Sequence, residues 1–136
     1  MSILLDTHVF LWAAGVDGRL SKSSRELLED ADEPIFLSAA SAWEIAVKWA
    51  HGRLTLPGKP SEVVNDIVSA AGLSKLPVSL NDACVVAELP IHHKDPFDRL
   101  LVAQARTNRL RLMTANPILE KYDVDVIALW LDDDDE

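Results

Sequence analysis

The sequence predicts an α/β domain, a three-layer sandwich in which a mainly parallel central sheet is flanked by helices. Three observations carry this. Short apolar runs recur at Ile3-Leu4-Leu5, Ile35-Phe36-Leu37 and Leu112-Met113, the segments between them show helical periodicity, and polar residues follow each run at once. Unbroken runs of Ile and Leu suit strands buried on both faces, and strands that alternate with helices point to parallel crossovers.

Each element has its own warrant. The run at Ile3 to Leu5 ends in Asp6, as a buried strand opening into a site does, and a helix is predicted from Val9 to Ala14. Ser21 can cap a second helix carrying Leu27, Leu28 and Ala31, which must stop before Pro34. After the strand at Ile35 to Leu37, Trp43, Ala46, Val47 and Ala50 recur at helical spacing over Ser41 to His51, with Gly52 as a stop signal. Pro57, Gly58 and Pro60 mark a loop before a helix over Ser61 to Ala71, closed by Gly72. Lys75 to Val78 reads as a short edge strand weakened by Pro77, and Ser79 to Leu89 as a capped helix. Asp95 to Asn108 is a helix with Pro96 at its first position. Arg111 to Met113 and Val124 to Leu129 supply the last strands.

The 136 residues fit one domain, taken here as residues 1–131, followed by an acidic tail at 132–136 that reads as disordered. The 49% hydrophobic content is too high for a disordered chain, yet no uncharged run is long enough to span a membrane. Met1-Ser2-Ile3-Leu4-Leu5-Asp6 has no basic stretch ahead of an apolar one, which argues against a secretory signal and for a cytoplasmic location. The net charge of -9 argues against a protein that grips nucleic acid through a broad basic face. More than half of that excess belongs to the tail, whose five acids run from Asp132 to Glu136, so the body is only mildly acidic.

In a parallel sheet the residues just past the carboxyl ends of the strands are aimed at a shared site. Asp6, the segment Ser38 to Glu44, Asp95 or Asp98, and Asn116 occupy such positions. Convergent carboxylates suit Mg²⁺ or Mn²⁺, hard cations that want oxygen ligands and keep part of their water. Each acid also has a purely structural reading. Ser41-Ala42-Trp43-Glu44 matches a capping box, Glu44 can pair with Lys48, and Asp95 with Asp98 looks like an ordinary helix start. Ser79-Leu80-Asn81-Asp82 repeats that last pattern where no site is expected, and so serves as an internal control. Asp98 shares a helix face with Leu101, Val102 and Ala105, and a carboxylate on that buried side needs a counter-charge or a metal.

Other candidates read as structural. His92-His93 lacks the spacing of a zinc site and reads as a solvated loop. Cys84, the one cysteine, sits among Ala83, Val85, Val86 and Ala87 as a small buried hydrophobe. Trp12, Trp43, Trp49 and Trp130 read as core or interface residues. No Gly-rich phosphate loop and no serine elbow is present.

Leu4-Leu5-Asp6-Thr7-His8, the run Ser41 to Lys48 and the run His92 to Ala105, which contains Asp95-Pro96-Phe97-Asp98-Arg99, resemble PIN-domain ribonucleases, in particular VapC-type toxins of toxin-antitoxin pairs. The resemblance implies Mg²⁺- or Mn²⁺-dependent cleavage of RNA, homodimerisation and a cognate antitoxin that covers the site. It assigns Asp6, Glu44 and Asp98 as metal-binding and catalytic residues. Asn116 stands where the family usually has a fourth aspartate, which weakens a second metal site unless Asp95 compensates. Lys48, Arg53, Arg99 and Arg106 are expected at the rim, to receive RNA phosphates. Two other functions compete: a metal-dependent phosphatase for small esters, and a non-catalytic module whose acidic face binds a basic partner.

Overall fold

Every apolar run predicted as a strand enters one sheet of five strands, β1 (Ile3–Leu5), β2 (Ile35–Ser38), β3 (Ser74–Leu76), β4 (Arg111–Thr114) and β5 (Val126–Ala128), in the order β3-β2-β1-β4-β5. The computed structural model describes residues 1–129, and over that range all strand pairings are parallel. Trp130 and the acidic tail at 132–136 lie outside the described residues, as does the domain boundary placed at residue 131.

Because successive side chains of a strand point to opposite faces, the sheet separates two cores. Ile3 and Leu5 pack with Val9 and Phe10 of α1 (Thr7–Ala13), Ile45 of α3 (Ala39–Ala50), and Val64 and Val68 of α4 (Pro60–Ala71). Leu28 of α2 (Lys22–Glu29) lies against the same cluster. On the other face Leu4 and Leu112 pack with Leu101, Val102 and Ala105 of α6 (Pro96–Thr107), with Val85 of α5 (Leu80–Val85) at the margin. Leu4, Val9, Ile45, Val102 and Leu112 are wholly buried, so the sandwich closes tightly around β1.

Local signals set most boundaries. Ser21 caps α2 through its side chain, and Gly72 ends α4 at φ 66°, a left-handed conformation that glycine adopts without cost. Pro77 falls just past β3, where its missing N–H removes no ladder bond.

Three expectations are corrected. Helix α3 begins at Ala39, capped by Ser38, so Ser41 lies inside the first turn and the capping box with Glu44 does not form. The predicted helix over Ser79 to Leu89 breaks into α5 and a 3₁₀ turn at Val86–Glu88. Cys84 is exposed because α5 turns Asp82 inward instead. Of the two alternatives for the tryptophans, core or interface, exposures of 59% and 41% leave only the second for Trp43 and Trp49; Trp43 stands edge-on to Phe97, with ring centroids 4.8 Å apart.

Candidate functional site

Asp6 leaves β1 at the point where the strand order turns from β2 on one side to β4 on the other, the place where open parallel sheets leave a crevice. It is almost fully buried. One carboxylate oxygen, Oδ1, accepts from Val9 N at 2.9 Å and caps α1, while Oδ2 accepts from the Thr114 hydroxyl at the end of β4. Burial pushes the Asp6 carboxyl up, and the Glu44 charge adds to that, whereas the Thr114 and Val9 bonds and His8 oppose it. Its capping role is therefore real, yet a cap alone needs no burial and no second donor.

Glu44 reaches the same crevice from the second turn of α3. Thr7 Oγ1 donates to its Oε1 at 2.6 Å and Lys48 Nζ to its Oε2 at 2.7 Å, so the expected pair with Lys48 is present. Thr7 also lies 3.0 Å from Ser41 Oγ. These partners hold a buried carboxylate in one orientation.

Asp98 sits at the third position of α6, whose cap is Asp95: Asp95 Oδ1 accepts from Asp98 N at 3.0 Å. Burial first, and then the charge of Asp95, push the Asp98 carboxyl up to about 6; the charges of Asp6 and Glu44 add to the rise, against a hydrogen bond from His93. The four acids thus converge closely enough to feel one another. The tightest set of donor atoms differs from the expected trio, however. Among the described residues, the one group of three or more whose ligating atoms all lie within 4.8 Å of one another is His93, Asp95 and Asp98, and neither Asp6 nor Glu44 belongs to it.

His93 corrects the reading of His92-His93 as a solvated loop. Its Nε2 lies 2.9 Å from Asp98 Oδ2, and its backbone N donates to the Tyr122 hydroxyl at 3.0 Å. No helical or metal spacing announces this, because the pairing depends on how the loop before α6 is pinned. The pin is Arg99: its guanidinium donates to the carbonyls of Pro90 and Val86 at 3.0 Å each. Arg99 is therefore a brace and not a rim cation. Arg106, in the last turn of α6, lies eight residues beyond Asp98, about 12 Å along the helix axis, and does not reach the site. Lys48 and Arg53, with His8 and Thr7, instead line a cleft of about 180 Å³ beside Glu44, which Asp17 also borders. Asn116 spends its Oδ1 on Ile118 N at 3.2 Å, and its Nδ2 stands 3.5 Å from His93 Nε2.

A parallel sheet between helix layers, with acids gathered at its switch point, defines a three-layer α/β domain with an acid-lined crevice. The chain belongs to the PIN domain family, whose model matches residues 3–125. Over 55 residues it is 40% identical to Ribonuclease VapC16 of Mycobacterium tuberculosis, a match that covers 40% of this chain and 39% of the relative, so it spans about two-fifths of that protein's length. Among solved structures, the chain resembles one from DNA-bound VapBC of Salmonella typhimurium, with a TM-score of 0.69 and 15% identity over 95% of this chain and 98% of that one. It also resembles a chain of a toxin-antitoxin complex from Klebsiella pneumoniae, with a TM-score of 0.63 and 17% identity over 93% and 96% of the two chains. At such identities the likeness concerns the fold.

Proposed function

We propose that the chain is a metal-dependent endoribonuclease, the VapC-type toxin of a toxin-antitoxin pair, which hydrolyses RNA phosphodiester bonds with Asp6, Glu44 and Asp98 around Mg²⁺ or Mn²⁺. The observation that carries this reading is the Asp98 carboxyl, raised by burial and by three neighbouring acids while its ion-pair partner among the described residues is a histidine, not a lysine or arginine. A carboxylate held at such an electrostatic cost without a lysine or arginine beside it suits a divalent ion. The names of the relative in Mycobacterium tuberculosis and of the structural neighbours point the same way.

A bound divalent ion lowers the pKa of a coordinated water and offsets charge building on the phosphate oxygens. Asp6, locked between Val9 N and the Thr114 hydroxyl, and Asp98, at the start of α6, offer carboxylate oxygens from two different elements. Glu44, held by Thr7 and Lys48, orients the ion or the attacking water. Lys48 and Arg53 give the neighbouring cleft the positive charge that an RNA backbone needs, since the acids alone repel it. In this reading the protein works in the cytoplasm as a homodimer, and a cognate antitoxin silences it by covering the acids.

The test is incubation of the purified chain with total RNA in Mg²⁺, in Mn²⁺ and in EDTA, beside Asp6→Asn. Cleavage is expected with either ion and lost with EDTA and in the variant. Equal cleavage by wild type and variant removes the site, and turnover of nitrophenyl phosphate without RNA cleavage makes the protein a phosphatase.

A further inference from the structure

We propose that His93 is a direct metal ligand together with Asp95 and Asp98, and that this nitrogen donor makes the site select Mn²⁺ over Mg²⁺. The proposal rests on the metal-dependent reading above and assigns two ligands, His93 and Asp95, beyond the three carboxylates.

The spacing is that of an ion's coordination shell. Two donors at right angles, each about 2.1 Å from an octahedral cation, stand about 3.0 Å apart. His93 Nε2 and Asp98 Oδ2 are 2.9 Å apart. Asp95 brings a third ligating atom within 4.8 Å of both, so an inward shift of roughly half an ångström brings all three inside the roughly 4.2 Å that separates opposite donors in such a shell. Free oxygens are at hand as well: Oδ1 of Asp98 and Oδ2 of Asp95 accept no hydrogen bond from the described residues. The ring is also preorganised, since its backbone N–H is tied to Tyr122 and its loop is held by the Arg99 fork, and Arg99 belongs to the helix that carries Asp98.

The choice of ion follows from donor chemistry. Mg²⁺ favours an all-oxygen octahedron and gives up water reluctantly, whereas imidazole nitrogen suits first-row transition ions. Asn116 strengthens the bias, because an amide whose oxygen already caps the turn after β4 adds no charge for a hard ion, and it stands beside the His93 nitrogen.

Pulsed electron paramagnetic resonance on the chelator-stripped full chain, titrated with Mn²⁺, tests the assignment. Bound Mn²⁺ is expected to show ¹⁴N coupling from an imidazole, which switches to the ¹⁵N pattern when the histidines alone are ¹⁵N-labelled. His93→Gln is expected to lose the coupling and about tenfold in Mn²⁺ affinity with little change for Mg²⁺, while His8→Gln keeps the coupling. Isotope labelling of the wild-type chain keeps the test decisive even if His93→Gln does not fold. Bound Mn²⁺ without nitrogen coupling, or a coupling that vanishes with His8 and not with His93, overturns the assignment and leaves the metal-dependent reading standing. A wild-type chain that binds no Mn²⁺ sinks both.

Discussion

Helices α5 and α6 begin with the same device, a capping residue followed three positions later by an aspartate, and the two aspartates have opposite fates. At Ser79-Leu80-Asn81-Asp82 the box closes: Asp82 N donates to Ser79 Oγ at 3.0 Å, and Asp82 Oδ2 accepts from Ser79 N and from Gln104 Nε2 at 3.2 Å each. At Asp95-Pro96-Phe97-Asp98 only half of it forms. Asp95 caps the Asp98 N–H, but the Asp98 carboxylate turns toward His93 and faces Asp6 and Glu44. One acid is spent on the fold, and the other is kept at a cost. A capping pattern therefore marks a helix start, while its donors and neighbouring charges decide whether the acid is structural.

The sharpest way to break this comparison is activity. Asp98→Asn should cost about a thousandfold in RNA cleavage, the scale of a transition-state contribution of several kcal/mol, whereas Asp82→Ala should leave cleavage near the wild-type rate. A nuclease assay on matched protein concentrations decides it, and comparable losses in both variants would erase the distinction.

Stability should move the other way. Asp82→Ala strips a buried acceptor from Ser79 N and Gln104 Nε2 and should cost about 1–3 kcal/mol in urea unfolding. Asp98→Asn, measured without metal, should instead gain on the order of 2 kcal/mol at pH 7.5. The Asp98 carboxyl is raised from 3.8 to about 6 in the fold, so the folded state holds this proton more tightly than the unfolded chain. The ionised group therefore destabilises the wild type fully above about pH 6, and the advantage of Asp98→Asn shrinks as pH falls from 6 toward 3.8. An unchanged gap between pH 7.5 and pH 4 would show that the carboxylate is not strained.

The smallest effect concerns the cap itself. Ser79→Ala should cost about 1 kcal/mol in thermal or urea unfolding with cleavage untouched, as removal of an ordinary N-cap does.

Much of the architecture was legible from residue pattern because it depends on short-range physics. Pro96 opened α6 and Ser21 capped α2 where expected, and the apolar runs at Ile3 and Ile35 became strands, the first wholly and the second partly buried. Errors clustered where several local choices were nearly equal. Ser38 and Ser41 are both good caps, and packing of Ala40 and Ile45 against the sheet selected the earlier start. Cys84 sits in an apolar run, but in a helix as short as α5 a small rotation decides which side chain faces in, and the Asp82 bonds set that rotation.

The candidate site divides along the same line. Asp6, Glu44 and Asp98 were proposed from position after strands and from motif, which are properties of the chain taken in order. The partnership of His93 with Asp98, the withdrawal of Arg99 into a brace and the isolation of Arg106 from the acids were not, because each depends on atoms brought together from different segments. Sequence alone determined which residues can cap, bury or ligate, through side-chain chemistry and local backbone preference. Tertiary structure decided which of them meet and at what distance, because electrostatic and hydrogen-bond energies depend on separations of a few ångströms that only the packed helices and sheet define.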